Sequence, residues 1–296
     1  MKFSEFRYER PDIDQLQASF QDALDSFRRA GSAALQHEAM KRINELRRRY
    51  STMANLCHIR HTIDTNDEFY KKEQDFFDET EPVVKGLVND YYRDLVASPF
   101  RAELEETWGK QLFALAETQL KTYAPAIMED LQKENKLASE YTKLIASAKI
   151  MFEGEERTLA QLQPFVESPD RTMRKRASEA RFSFFTDHEK ELDELYDELV
   201  HIRTAIAQKL GFQNFIELGY ARLGRTDYNA KMVANFRRQV KAHIVPLASK
   251  LRERQRRRIK VNKLYYYDEP FMFPTGNPAP KGDAAWIIEN GRRMYE

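Results

Sequence analysis

The feature that most constrains the fold is one long run of helical periodicity, "ESPDRTMRKRASEARFSFFTDHEKELDELYDELVHIRTAIAQKLG", at residues 167–211. Ser168 or Asp170 suits the N-cap of this helix, and Gly211 suits its end. A helix of roughly 40 residues is about 60 Å long at 1.5 Å per residue, which exceeds the diameter of one small domain. We therefore expect a single helix that bridges two lobes or lies along a groove.

Most of the remaining chain has the same periodicity, and its 10 glycines leave few places for β-turns. Proline marks the expected interruptions. Pro82 either breaks the helix that Asn66 or Asp67 caps or begins another, and Pro246 kinks a long helix. The expected helices lie near residues 11–31, 33–63, 66–96, 125–148 and 229–258.

Two short segments have a different pattern. Glu153-Gly154 separates two short runs, which predicts a small β-hairpin near 149–158. A Pro- and Gly-rich segment follows the last of these helices, and its three tyrosines, Tyr265 to Tyr267, predict a short strand near 264–268. The expected fold class is mainly α, with long helices in multi-helical lobes, one hairpin and one short strand.

Composition narrows the class of protein without naming a partner. Hydrophobic residues make up 42% and charged residues 32% of the chain, which is typical of a soluble globular protein, and the net charge is +1. The single cysteine, Cys57, excludes an intrachain disulfide and fits a reducing compartment as a buried thiol. We find neither a signal peptide nor an apolar run of about 20 residues, so a cytoplasmic protein without membrane contact is expected.

Zinc chemistry is the first candidate, because a helical metallopeptidase presents His-Glu-x-x-His on one helix face. His37-Glu38 supplies the first two letters, but Lys41 stands where the second histidine should be. His58, His61 and Asp64 have a spacing that could hold one metal, although packed or surface histidines are the more common reading. The remaining histidines are isolated: His188, His201 and His243.

Other catalytic patterns are absent from the sequence. There is no G-x-S-x-G nucleophile elbow and no glycine-rich phosphate loop, and acidic runs on long helices are usually solvated faces. The residues alone therefore predict no catalytic residue and no metal ligand, and they leave the substrate-binding residues unknown.

One basic cluster supports a rival interpretation. Lys250 to Lys263 is strongly basic and precedes Tyr265 to Tyr267, so it could bind phosphates while the tyrosines stack on bases. The same residues end a helix, where cations are favourable in any case. Nucleic acid is therefore not predicted as a partner, and the tyrosines are expected to pack in the core rather than to contact peptide.

Four stretches resemble the oligoendopeptidase F family of zinc metallopeptidases, relatives of thimet oligopeptidase. The resemblance implies an α-helical protein of two lobes around a channel, which cleaves oligopeptides with a zinc-activated water. It identifies Asp268 and the Gly276–Pro280 loop as scaffold. The resembling stretches are residues 61–82, 152–162, 170–228 and 264–283.

In that family the zinc-binding helix and the third ligand lie in the C-terminal half, which the resemblance places after residue 296. We therefore expect residues 1–168 to form an N-terminal helical region and 169–296 to begin the peptidase domain. Zinc is expected in the intact protein, and the segment alone is expected to bind none and to be inactive. The expected partners are oligopeptides and the missing C-terminal half.

The chain ends in "AAWIIENGRRMYE", an amphipathic helix that Asp283 caps. Its apolar side includes Ile287, Ile288 and Tyr295, and we expect this side to pack against structure that follows residue 296. The alternative is a complete, non-catalytic helical protein that binds peptides, proteins or nucleic acid.

Overall fold

A computed structural model describes residues 3–295, except the side chain of Ser4. The fold is mainly α, as predicted. The first helices are α1 (Ile13–Arg29), α2 (Ala33–Ile63), α3 (Glu68–Val96), α4 (Arg101–Trp108), α5 (Lys110–Gln119) and α6 (Met128–Ala146). The later helices are α7 (Gln163–Val166), α8 (Arg171–Asp187), α9 (Glu189–Lys209), α10 (Phe215–Arg222), α11 (Ala230–Gln239), α12 (Val245–Arg258) and α13 (Ala284–Tyr295).

The helices form two compact units, and each unit is built from two separate stretches of chain. The first unit contains residues 1–147 and 189–234, and the second contains residues 148–188 and 235–296. The sequence predicts a single domain boundary, between residues 168 and 169, and this boundary stays a prediction.

The first unit buries its largest core between α1, α2, α3 and α5. Phe20 and Phe27 of α1 are fully buried and pack with Tyr91 of α3 and Phe113 of α5. The ring of Phe27 meets that of Tyr91 edge to face at 6.1 Å. A second cluster joins the two stretches of this unit, because Leu131 of α6 packs with the helices that begin at Glu189 and Phe215.

The single long helix expected at 168–211 is wrong, because the structure ends α8 at Asp187 and begins α9 at Glu189. His188 separates them with a non-helical backbone, φ −109° and ψ 17°. Its N–H donates to the carbonyl oxygen of Phe184, and its Nδ1 lies 2.8 Å from the same oxygen. The side chain thus competes with the helical bonds at this carbonyl, and Glu189 and Glu191 favour a fresh helix N-terminus.

Pro82 neither breaks nor begins a helix, because α3 passes through it. Proline leaves the carbonyl four residues earlier, that of Asp78, without its helical donor. Asn135 of α6 takes that place, since its Nδ2 donates to the Asp78 oxygen at 3.2 Å. Gln132 likewise donates to the carbonyl of Glu79 at 2.8 Å. Side chains of a neighbouring helix therefore satisfy the carbonyls around the proline.

The predicted hairpin is confirmed as β1 (Ile150–Phe152) paired antiparallel with β2 (Glu155–Arg157). Glu153 and Gly154 both have positive φ, 52° and 80°, as a two-residue hairpin turn requires. The predicted strand near 264–268 is wrong. Those residues contain a short 3₁₀ turn, Tyr266–Asp268, because the Asp268 carboxylate accepts the N–H of Tyr265 and caps the turn.

Pro246 is the second residue of α12, which a turn of π-helix, Val240–Ile244, joins to α11. The N–H of Val245 donates to the carbonyl of Val240, five residues back. The sequence predicts a kink at this proline, and the structure has a π-helical turn just before it. The helix then continues to Arg258.

We expect Asn135→Ala to lower the free energy of unfolding by about 1–3 kcal/mol, because it leaves the Asp78 carbonyl without a donor. In a Pro82→Ala background the loss should be smaller, since Ala at position 82 regains an N–H that reaches this carbonyl. Urea unfolding of the four proteins measures the coupling. Equal losses in both backgrounds would contradict this account of Pro82.

Candidate functional site

An open cavity of about 780 Å³ lies within the first unit. Helices α2, α3, α6, α9 and α10 form its walls, together with the chain after α5. This volume lies in the range of small-molecule and peptide sites. Among its lining residues are three tyrosines and five cationic side chains: Tyr50, Tyr92, Tyr123, Arg47, Arg48, Lys85, Arg203 and Arg222.

One wall of this cavity contains a buried carboxylate, Glu134 of α6. Its oxygens accept hydrogen bonds from Arg203 Nε at 2.7 Å and from Arg222 Nη1 at 2.9 Å. Both guanidinium groups also lie 5.6 Å from the ring centre of Phe215. Glu134 comes from residues 1–147 and the arginines from residues 189–234, so this cluster ties together the two stretches of the first unit.

Arg47 of α2 also lines this cavity. Its Nη2 donates to Tyr92 Oη at 3.0 Å, and its Nη1 donates to Asn44 Oδ1 at 3.2 Å. The guanidinium lies 5.3 Å from the centre of the Tyr92 ring. These contacts orient the Arg47 side chain, but all of them are with neutral groups, so none of them balances its positive charge.

The second unit contains a matching cluster around Asp268, whose side chain has no exposed surface. Arg171 donates to both carboxylate oxygens, at 3.0 and 2.8 Å, and the buried Arg174 donates from Nη2 at 2.9 Å. The arginines come from α8 and Asp268 follows α12, so this cluster ties together the two stretches of the second unit. The resemblance marks Asp268 as scaffold, and its contacts fit that expectation.

Hydrogen bonds decide the charge state of Asp268. Burial alone would raise its pKa, but donors from Arg171, the Tyr265 N–H and Arg174 together hold the pKa of Asp268 below its ordinary value. The carboxylate therefore stays ionised inside the second unit.

Gln255 of α12 extends this cluster. It is fully buried, and its Nε2 lies within hydrogen-bond distance of the carbonyl oxygens of Asp268, Glu269 and Phe271. Asn277 orders the following loop by accepting the N–H of Met272 and donating to the carbonyl of Pro270. The Gly276–Pro280 loop is thus fixed by side-chain contacts.

Of the three tyrosines before Asp268, Tyr265 and Tyr266 are exposed and Tyr267 is half-buried, so none belongs to the core. Tyr265 and Tyr266 are 42% and 51% exposed. The rings of Tyr265 and Tyr267 stack at 5.4 Å, and Arg171 lies over both. Their expected core packing is therefore wrong, because the charged arginine that orders them needs access to water.

The histidine motifs do not form metal sites. In the "HEAMK" segment Lys41 donates to Glu38 at 2.9 Å, so the two residues pair with each other on the surface. His58 and Asp64 are exposed, whereas His61 is buried and neither of its ring nitrogens has a hydrogen-bond partner. Burial lowers the pKa of His61 below its ordinary value, which keeps the ring neutral.

The other histidines are equally separate from one another. His201 is exposed and its Nδ1 approaches the carbonyl of Asp197 at 2.8 Å. His188 ends α8, and His243 is exposed within the π-helical turn. Within residues 3–295, no three His, Cys, Asp or Glu side chains are placed to hold a metal ion. The described residues therefore do not fit zinc, and we assign no catalytic step to them.

Several arginines of the basic segment 250–263 form ion pairs within the protein. Glu253 pairs with Arg256 and Arg257, and Arg252 pairs with Glu269. Arg256 also donates to the carbonyl of Val261. These contacts reduce the number of free cations available for phosphates.

Sequence reasoning missed both clusters of a carboxylate with two arginines. The partners of each carboxylate lie 69 to 97 residues away along the chain, beyond the reach of any local pattern. One signal was available: Arg222 ends the short and otherwise largely apolar helix "FIELGYAR", where a charge on the buried side needs a partner.

The structure is a helical scaffold, and comparison with known families assigns the class of the protein. The model of the peptidase M3 N-terminal domain matches residues 3–123, and the model of peptidase family M3 matches residues 165–274. The chain belongs to peptidase family M3. A comparison with curated proteins gives no match.

Several solved structures are similar to the chain over its whole length. A 3.1 Å X-ray structure described as oligoendopeptidase F is 90% identical over 100% of the chain, with a TM-score of 0.96. A structure of PZ peptidase A with an inhibitor is 76% identical over 99%, also with a TM-score of 0.96. A Bacillus anthracis structure described as oligoendopeptidase F is 58% identical over 100%, with a TM-score of 0.94. The chain spans 52 to 54% of the length of these relatives.

We expect Asp268→Asn to lower the free energy of unfolding by about 3–5 kcal/mol at pH 7, because it leaves the buried Arg174 charge without its partner. Since the pKa of Asp268 is depressed, its contribution is present above the unfolded value of about 3.9 and is lost as pH falls through the folded value. The difference between wild type and variant should therefore shrink below about pH 4.

Urea unfolding at several pH values measures this difference. Glu269→Gln is the matched control, because it removes an adjacent exposed carboxylate and should change stability by less than about 0.5 kcal/mol. An Asp268→Asn variant as stable as wild type at pH 7 would contradict the structural role of the cluster.

Cys57 should resist alkylation while the protein is folded. Burial, followed by the nearby Glu73 and Asp78 charges, raises the pKa of its thiol to about 12. At pH 8 the reactive thiolate is therefore almost absent. We expect iodoacetamide to modify Cys57 only after unfolding in urea, as read by peptide mapping, and rapid modification of the native protein would contradict this burial.

Proposed function

We propose that this chain is the N-terminal portion of a cytoplasmic zinc metalloendopeptidase that hydrolyses oligopeptides, with the zinc ligands and catalytic residues after residue 296. The main support for this proposal is that solved relatives 58 to 90% identical to the chain are almost twice as long as the chain. The sequence up to residue 296 has no His-Glu-x-x-His, and the described residues offer no set of zinc donors.

Two helices of the second unit expose apolar side chains that another part of the protein could cover. α13 has no buried residue, and the same holds for the part of α11 that belongs to this unit. Ile288 and Met294 of α13 are 72% and 84% exposed, and Phe236 of α11 is 65% exposed. Apolar surface of this kind is typical of a protein interface. We propose that the C-terminal half covers α13, as the sequence predicts for Ile287 and Ile288.

The remaining parts of the proposal concern partners and location. The proposed substrates are oligopeptides, and the M3 family supports zinc as the cofactor of the whole protein. Residues 3–295 contain no helix with the length and apolarity that a membrane span requires. The internal pairing of the 250–263 cations supports the absence of nucleic acid among the partners.

The decisive test compares the 296-residue chain with the longer protein that contains it. We expect the longer protein to bind about one zinc per chain and to cleave a quenched fluorescent oligopeptide, and we expect 1,10-phenanthroline to stop the cleavage. The 296-residue chain should show neither property. Metal analysis and fluorescence measure the two quantities on the same samples.

Stoichiometric zinc and chelator-sensitive cleavage by the 296-residue chain would contradict the placement of the chemistry after residue 296. Inactivity of the longer protein would contradict the peptidase assignment itself. The rival function is tested separately: salt-dependent binding of single-stranded RNA by the 250–263 segment would favour a nucleic-acid-binding protein.

A further inference from the structure

The cavity in the first unit carries an excess of positive charge. Five cations and two carboxylates, those of Glu81 and Glu134, line it, so the difference is +3. Two of these cations form ion pairs: Arg48 with Glu45, which does not line the cavity, and Lys85 with Glu81, which does. What remains is one uncompensated charge on Arg47 and one shared by the two arginines that hold Glu134.

Arg47 is the cation best placed for a ligand. No carboxylate lies within ion-pair distance of it among residues 3–295, although most arginines of this unit, such as Arg10 and Arg203, have such a partner. Its two hydrogen-bond partners, Tyr92 and Asn44, are neutral. A half-buried guanidinium presents a planar fork of donors that matches a carboxylate, so an incoming carboxylate would complete its contacts.

Arg222, which also lines the cavity, supplies a second observation. Its Nη1 binds Glu134, but its Nη2 is buried and has no hydrogen-bond partner. A buried charged donor without an acceptor is unfavourable, and native structures leave few of them. Since Arg222 lines the cavity, its guanidinium is a second cation that a ligand carboxylate can contact there.

The remaining walls suit a peptide rather than a free inorganic anion. Asn44 and Asn135 line the cavity, and the contacts described above leave Asn44 Nδ2 and Asn135 Oδ1 available to bind a peptide backbone. Tyr50, Tyr123 and Val84 supply apolar surface for side chains, and 780 Å³ accommodates several residues.

We propose that this cavity binds the carboxylate of an acidic peptide, with Arg47 as the principal ligand and Arg222 as the second. The proposal rests on the proposed function for its substrate class and adds the charge that the peptide carries. The carboxylate comes either from an acidic side chain or from the peptide C-terminus, and both present the same two oxygens to a guanidinium.

The test is equilibrium binding to the full-length protein, in EDTA so that a metallopeptidase does not cleave the probe. Four fluorescein-labelled pentapeptides of one sequence carry Glu or Gln at the fourth position and end in an acid or an amide. We expect a carboxylate to tighten binding by roughly tenfold or more relative to the Gln amide peptide. The pair of peptides that shows the difference identifies the source of the carboxylate.

Arg47→Gln should abolish this difference between the carboxylate peptides and the Gln amide peptide. Asn44→Asp is the second variant: it places a carboxylate against Arg47, where Asn44 Oδ1 already accepts its hydrogen bond, and neutralises the charge without removing the arginine. Arg49→Gln is the matched control, because Arg49 lies on the same helix, is 75% exposed and does not line this cavity.

Equal binding of all four peptides, or binding of none, would overturn the proposal. A carboxylate preference that survives in a folded Arg47→Gln or Asn44→Asp protein, as judged by thermal unfolding, would also overturn it. These outcomes are independent of hydrolysis, so a protein that binds acidic peptides through Arg47 and cleaves none would contradict the proposed function alone.

Discussion

Each unit of this protein depends on one carboxylate held by two arginines. In the first unit Glu134 binds Arg203 and Arg222, and in the second Asp268 binds Arg171 and Arg174. In both, the carboxylate and the arginines belong to different stretches of chain, so the cluster closes a unit whose backbone is discontinuous. A buried ion pair of this kind adds little net stability, but breaking it is costly, which makes each cluster a strong constraint on how the stretches combine.

Local features of the fold were predictable from the sequence because local physics sets them. The helix bounds at Ala33 and Ile63 are confirmed, and Asp67 and Asp170 cap helices as two of the expected residues. The hairpin at Glu153-Gly154 is confirmed because its turn needs two positive φ angles, which this dipeptide tolerates.

Features that depend on distant partners were not predictable. The sequence predicts a break or a new helix at Pro82, whereas Asn135 and Gln132 of another helix supply the donors that let the helix continue. It also predicts a strand at the three tyrosines, whereas Asp268 caps a turn there. The cavity was missed for the same reason. Arg47 resembles a solvated helix charge in sequence, and only the tertiary packing of the first unit brings it into one cavity with Arg222.

We propose that residues 3–295 supply scaffold and substrate contacts, whereas the metal chemistry lies after residue 296. The most direct measurement is a crystal structure of the longer protein with zinc located by anomalous scattering. We expect every protein ligand of the zinc to follow residue 296. A zinc ion bound by a side chain within residues 3–295, such as His58 or His61, would contradict it.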